Sequence, residues 1–289
     1  MFDFETFHIV PGLTCNLRCP HCANDSAPEQ RGTLSKTERE AISAAINRAR
    51  PRTIVLTGGE PTIYCEPINE ILEKLTYQPK VILTTNGTYA LNIEQARAKL
   101  DRLRFVDVIQ LSFDPHHDST LDSPVPRVLK QYCEERGVAF VVIVSLTRLT
   151  DITFASEVEK KYGVKVIIQK IEGSGRARKT GVEFEYQTFD RAVLKERCPN
   201  SDAASYIQGR GFTVCCSNVV YNLPGKQYVE KDLADLDANE FHQEVTRLSF
   251  AERMTKYGIS ASELAPRHSS ACNLCELIEL KACKSKVPA

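Results

Sequence analysis

Hydrophobic and polar positions alternate in two different rhythms up to about residue 180, and in neither rhythm consistently after it. Short β-branched and apolar runs occur at Thr53 to Leu56, Val81 to Thr85, Val106 to Phe113, Val138 to Ser145 and Val164 to Ile168, and these predict strands. Between them, Glu66 to Leu75, Ile93 to Leu103, Pro126 to Arg136 and Phe154 to Tyr162 carry apolar positions at helical spacing. Ser35-Lys36-Thr37-Glu38 has capping-box spacing and opens a further helix to about Arg50. With His8-Ile9-Val10 as the first strand, about six strand–helix units occupy roughly the first 170 residues, which predicts an α/β fold with a parallel sheet and crossover helices.

The alternation stops around Ile171. Glu172-Gly173-Ser174-Gly175-Arg176 reads as a loop and Lys179 to Gln187 has no clear period, so residues 1–180 are expected to form the main domain and residues 181–289 a smaller extension. Within the extension, Ser205 to Tyr221 predicts a hairpin turning at Gly209-Arg210-Gly211, and Asn239 to Tyr257 one amphipathic helix.

In parallel sheets of this kind, sites form at the carboxyl ends of the strands. Cys15, Cys19 and Cys22 follow the first predicted strand, Gly58-Gly59-Glu60-Pro61 the second, Asn86-Gly87 the third, and Asp114-Pro115-His116-His117 the fourth. All are expected on one rim. Two glycines let backbone approach a ligand closely, and Glu60 beside them is placed to accept from its donors, although the four residues taken alone also fit a plain turn.

Composition narrows the classes. The 37 basic residues balance 37 acidic ones, which gives no reason to expect a nucleic-acid or anionic-membrane partner, and no apolar run approaches the ~20 residues of a spanning helix. The acidic start Met1-Phe2-Asp3-Phe4-Glu5 differs from the basic start of a signal peptide, so a cytoplasmic location is expected. In a reducing compartment eleven cysteines suggest metal rather than disulfides. They cluster: Cys15, Cys19 and Cys22 form a CxxxCxxC, and Cys198, Cys215, Cys216, Cys272, Cys275 and Cys283 crowd the last third. Three thiolates are one too few for a closed zinc site unless His21 is the fourth ligand, whereas an iron–sulfur cluster on three thiolates keeps one iron open for chemistry.

These residues resemble the radical S-adenosylmethionine enzymes: the CxxxCxxC after strand one is followed by Gly58-Gly59-Glu60-Pro61 after strand two, over roughly residues 6 to 175. The resemblance implies a partial (β/α)6 TIM-like barrel. It also implies a [4Fe-4S] cluster on Cys15, Cys19 and Cys22 with S-adenosylmethionine on the open iron, cleaved reductively to a hydrogen-abstracting 5′-deoxyadenosyl radical. Gly58, Gly59, Glu60 and Pro61 would bind the methionine amino group, Asn86, Ser112 and Asp114 the carboxylate or ribose, and Gly173 to Arg176 would lie near the adenine. The last third resembles the cysteine-rich auxiliary-cluster extension called SPASM, or its shorter twitch form: twelve residues separate Cys198 from Gly211, four separate Gly211 from Cys216, and Cys272 with Cys275 completes four thiolates for one auxiliary [4Fe-4S] cluster. Cys215 competes with Cys216, but in an alternating strand only one faces the site, and the glycine spacing favours Cys216. Only Cys283 follows Cys275, so the single-cluster form fits better, with Cys283 a spare thiol, an alternative ligand or a packed cysteine.

The substrate is a small molecule or a peptide. The motifs begin close to the N-terminus without a leader-binding domain before them, which favours a small molecule and a net oxidation of the twitch-dehydrogenase kind; a maturase of a ribosomally made peptide is the alternative, and a protein donor such as flavodoxin or ferredoxin would supply electrons. His116 and His117 are candidate acid, base or substrate contacts, and Cys65 a candidate hydrogen-atom donor, with packing as the other reading of each. Arg176 suits an anionic group or a surface ion pair. A zinc-stabilised scaffold without chemistry is the non-enzyme reading.

Overall fold

The computed structural model describes residues 4–285 except 118, 224 and 226. Six strands, β1 (Thr6–Val10), β2 (Thr53–Leu56), β3 (Lys80–Thr85), β4 (Val108–Ser112), β5 (Ala139–Leu146) and β6 (Lys165–Lys170), lie side by side in sequence order and parallel. Helices α1 (Lys36–Ala49), α2 (Cys65–Glu73), α3 (Ile93–Leu100), α4 (Val125–Arg136) and α5 (Ile152–Tyr162) provide the crossovers. The arrangement is the mostly parallel sheet of a partial TIM-like barrel.

Alternation along the strands explains the layering. On β2, Ile54 and Leu56 are buried while Thr53 and Val55 are half-buried, and β3 and β5 repeat this pattern, so the fully buried side chains form one core with the helices' apolar stripes. α1 starts where the capping box predicts: Ser35 Oγ accepts from Glu38 N at 3.3 Å and Glu38 Oε2 accepts from Ser35 N at 2.7 Å. At the far edge, β6 is exposed at five of its six positions.

The extension begins after α6 (Arg176–Thr180) and does not stand apart from the sheet. Strand β7 (Ala203–Ile207) runs parallel to β1, and β8 (Gly211–Thr213) pairs antiparallel with β7, extending one sheet to eight strands in the order β6-β5-β4-β3-β2-β1-β7-β8. The hairpin turns at Gly209 and Gly211, both at positive φ, as expected. It is shorter than expected, because the chain leaves the strand at Val214 and enters α7 (Asn218–Asn222). The helix expected over Asn239 to Tyr257 is instead two, α8 (Glu240–Arg247) and α9 (Phe250–Lys256). Ser249 and Glu252 form a second capping box, which terminates one helix and restarts the next. The chain closes with α10 (Ala271–Ser285), which carries Cys272, Cys275 and Cys283. No helix of the described residues is long and apolar enough to cross a membrane.

Candidate active site

The loops after β1, β2 and β3 meet as the strand order requires. Gly59 N donates to Gly12 O and Glu60 N to Thr14 O, each at 3.0 Å, so the Gly58-Gly59 turn is stitched to the start of the cysteine loop. The glycines are needed for that contact: a Cβ on Gly59 would lie 2.1 Å from Thr14 O, and one on Gly58 would lie 2.8 Å from Val10 Cγ1 at a φ of +119°. Tyr64 Oη accepts from Thr14 N at 2.8 Å and fills the space above Gly12.

Glu60 departs from the expectation that its carboxylate accepts from a ligand. It is buried, and its oxygens accept from Thr62 N and Oγ1, Thr85 Oγ1 and Asn86 N at 3.2, 2.8, 2.9 and 3.0 Å. Its side chain therefore ties the end of β2 to the end of β3, and only its backbone and that of its neighbours remain for a ligand. Asn86 is turned to the cysteine loop, with Nδ2 3.7 Å from Cys15 Sγ and 2.9 Å from Asn16 Oδ1.

The loop's thiols are half-buried and supplied with amide donors, Leu17 N to Cys15 Sγ at 3.4 Å and Ser26 N to Cys22 Sγ at 3.3 Å. Burial raises the Cys15 thiol, with the amide opposing it. Three half-buried thiols, two of them with amide donors, fit a cluster with one open metal position. Arg176 is neither a free anion site nor a surface ion pair. It is buried, and its guanidinium donates to Cys19 O at 3.1 Å and Ser26 O at 2.8 Å and pairs with Asp25 at 2.9 Å, while its own amide donates to Cys22 O. It clamps the cysteine loop from the far side. Gly175, at φ +56°, allows that approach, since a Cβ there would lie 2.3 Å from Ala23 O.

Beyond β4, Ser112 is half-buried at the strand end and Asp114 is fully buried, with Oδ1 accepting from His116 N at 3.0 Å and Oδ2 from Ser145 N at 3.2 Å. His117 Nδ1 stands 3.0 Å from Asp114 Oδ1. Burial alone would raise Asp114, but His117 and His21 outweigh it and hold the carboxyl low. His21 stacks edge-on against His117 with ring centroids 4.4 Å apart and lies 5.2 Å from His116; burial pushes its pKa down to about 4. His116 also lines a cavity of about 500 Å3 with Arg148, Phe184, Tyr186 and Arg267. Cys65 lies in the core, 3% exposed, its Sγ donating to Thr62 O at 3.2 Å, so burial rather than the rim defines it.

Cys198, Cys215, Cys216, Cys272 and Cys275 lie within electrostatic reach of one another, and one expectation about them changes. Cys215 and Cys216 follow the end of β8 and lie outside any strand, so side-chain alternation does not choose between them. Both press electrostatically on Cys272, as do Glu172 and Cys198, and with burial they push its thiol well above the ordinary range. Burial and Cys275 raise Cys198 to about 12, whereas Cys216 is exposed. Cys283 faces elsewhere, with Sγ 3.3 Å from Tyr228 Oη and 3.5 Å from Gln227 Nε2.

Two residues that sequence reasoning missed belong here. Arg253 is fully buried, with Nη1 3.3 Å from Cys275 Sγ and Nη2 2.6 Å from Glu279 Oε1. Tyr221 lies within electrostatic reach of Cys22, Cys215 and Cys216. The loop after β6 is tied to the extension: Ser270 Oγ donates to Glu172, and Asn222 Nδ2 to Gly173 O at 2.8 Å. Composition gave no signal for either residue, because their partners are distant in sequence.

Residues 9–135 match the model of the Radical SAM superfamily. A probable GTP 3′,8-cyclase of Pyrococcus abyssi is 36% identical over 91 residues, 31% of this chain and 30% of that protein. The antilisterial bacteriocin subtilosin biosynthesis protein AlbA of Bacillus subtilis is 38% identical over 76 residues, 26% of this chain and 16% of that protein. The chain thus spans less than a third of the length of these curated relatives. Among solved structures, SuiB of Streptococcus suis bound to S-adenosylmethionine superposes with a TM-score of 0.54 at 17% identity, covering 84% of this chain and 67% of that one. BtrN in complex with AdoMet and 2-DOIA superposes with 0.52 at 14% identity, covering 88% of this chain and 91% of that one, and both establish likeness of fold.

Proposed function

We propose that this chain, which carries a radical SAM domain, oxidises a polar small molecule by hydrogen-atom abstraction and passes the remaining electron to a second cluster held by its C-terminal cysteines. The radical SAM domain implies S-adenosylmethionine and a [4Fe-4S] cluster, and the half-buried thiols of Cys15, Cys19 and Cys22 with their amide donors suit that cluster. When bound, the cluster and adenosylmethionine supply an electron to the sulfonium and a 5′-deoxyadenosyl radical. Gly58 to Pro61 offer backbone groups at the mouth, Asn86 and Arg176 fix the cysteine loop, and Ser112 stands at the β4 end for the cofactor's polar groups.

The observation that carries the oxidative reading is the second set of cysteines, two of which, like Cys22, lie within electrostatic reach of Tyr221. Cys198, Cys216, Cys272 and Cys275 are the proposed auxiliary ligands, whose thiol protons a bound metal would replace. The cavity beside His116, at about 500 Å3, falls within the range of small-molecule sites, and its Arg148 and Arg267 favour a polar occupant. The match to the subtilosin protein supports the alternative, a peptide substrate.

Anaerobic reconstitution tests the proposal. About eight irons per chain in wild type, about four in a Cys15, Cys19, Cys22→Ala variant, and 5′-deoxyadenosine from wild type alone with dithionite are the expected results. Zinc in place of iron, or no 5′-deoxyadenosine with chemical or protein reductants, would replace the proposal with a structural scaffold.

A further inference from the structure

We propose that His21, Asp114 and His117 form a separate mononuclear site for a divalent transition ion of the zinc or iron(II) kind. The three residues come from two loops, the cysteine loop after β1 and the segment after β4, and one donor atom from each lies within 4.8 Å of the others. Two donors about 2.1 Å from one tetrahedral ion stand about 3.4 Å apart, so the group needs only small side-chain movements to close on a cation. His117 Nδ1 and Asp114 Oδ1, at 3.0 Å, are already at that spacing.

A purely structural role accounts for Asp114, whose carboxylate is oriented by the amides of His116 and Ser145. His117 Nδ1 stands 3.0 Å from Asp114 Oδ1 but makes no hydrogen bond, and it is one of two unpaired buried imidazole nitrogens here. The other belongs to His21. Its side chain is 9% exposed, its Nδ1 is buried with no hydrogen-bond partner, and its ring packs edge-on against His117. Buried ring nitrogens are normally paired, and one left over beside a carboxylate and a second imidazole is an unfilled ligand position. Two imidazoles and one carboxylate form the donor set of catalytic zinc and non-haem iron(II) sites, which keep further positions open. The amide bonds to Asp114 act as the outer shell that aims such a ligand.

An ion here would be a Lewis acid next to the cavity that His116 lines, positioned to take a hydroxyl, carbonyl or carboxylate oxygen of a bound molecule. The inference goes beyond the radical reading and is tested without it, since the readout is metal bound rather than product formed.

The experiment uses the protein with its iron–sulfur clusters assembled, so that thiols are occupied, and titrates it anaerobically with zinc against a competing chelator. Zinc-edge X-ray absorption then identifies the ligands. The expected result is one zinc per chain with a nitrogen and oxygen shell carrying the imidazole signature. H21F and H117A should each weaken binding on the order of a hundredfold or more, the upper end of what outer-shell changes alone cost. H116A should bind as wild type does. Iron content and circular dichroism equal to wild type establish that H21F, which keeps an aromatic ring in place, is folded. Sulfur in the zinc shell, binding unchanged in H21F and H117A, or no uptake at all would each overturn the site.

Discussion

The two cysteine groups are both within electrostatic reach of Tyr221 but are held in different ways. Cys15, Cys19 and Cys22 sit on a half-buried loop held by backbone contacts: amides on the sulfurs, the Arg176 guanidinium on the carbonyls and Gly59 against Thr14. In the second group Cys275 is buried at α10 against a fully buried arginine that also pairs with Glu279, Cys198 and Cys272 are half-buried, and Cys216 is exposed on the loop after β8. A site that must admit a cofactor and a substrate cannot be sealed, so its rigidity comes from main-chain stitching. Around Cys275 the stabilising contacts come instead from buried charged side chains, Arg253 and Glu279.

The contrast breaks most visibly at Arg253. R253A removes the buried cation facing Cys275 and Glu279, which is expected to cost about 3–5 kcal/mol of stability in urea unfolding and to lower the auxiliary iron content. R253K keeps the charge but not the fork, and should fall between. An R253A protein as stable as wild type would remove charge from the account of the second group.

C216A should lose about four irons per chain and leave 5′-deoxyadenosine formation in place, while C215A keeps them. The reverse result would move the ligand to Cys215, which lies in the same loop outside β8. At the first group, G59A drives a Cβ into Thr14 O and is expected to cost about 1–3 kcal/mol, with loss of the cluster and of adenosylmethionine cleavage but retention of the auxiliary iron. Iron counting with electron paramagnetic resonance of each cluster checks both.

The smallest effect is on pH. Burial would raise Asp25, but Lys179 and Arg176 outweigh it and hold the carboxyl below its ordinary range. Its contribution to anchoring the cysteine loop is therefore present above the unfolded pKa of about 4 and lost as pH falls through the folded value. Amide exchange of residues 20–26 in cluster-free protein should rise below about pH 4 in wild type, and D25N should show raised exchange at every pH with that step removed.

How much of this was legible follows from the range of each interaction. The six strand–helix units and the capping box at Ser35 and Glu38 were read correctly because their signals span a few residues. The break between α8 and α9 was also written locally, in Ser249 and Glu252, and was overridden by a periodicity that runs through it. The role of Glu60 was misjudged, since its partners Thr85 and Asn86 stand on the neighbouring strand's end. The choice between Cys215 and Cys216 rested on a strand that ends at Thr213.

The sequence alone determined the order of the parallel strands, the rim that carries the motifs and the two groups of thiols, because periodicity and spacing are properties of the chain itself. Only the tertiary structure decided that β7 pairs with β1, bringing Ser205 within 3.5 Å of a residue 197 positions away, that Arg253 meets Cys275 and that His21 meets Asp114 and His117. Such contacts join segments whose local patterns carry no trace of one another, and they form because the curved sheet and its packed helices bring those side chains together.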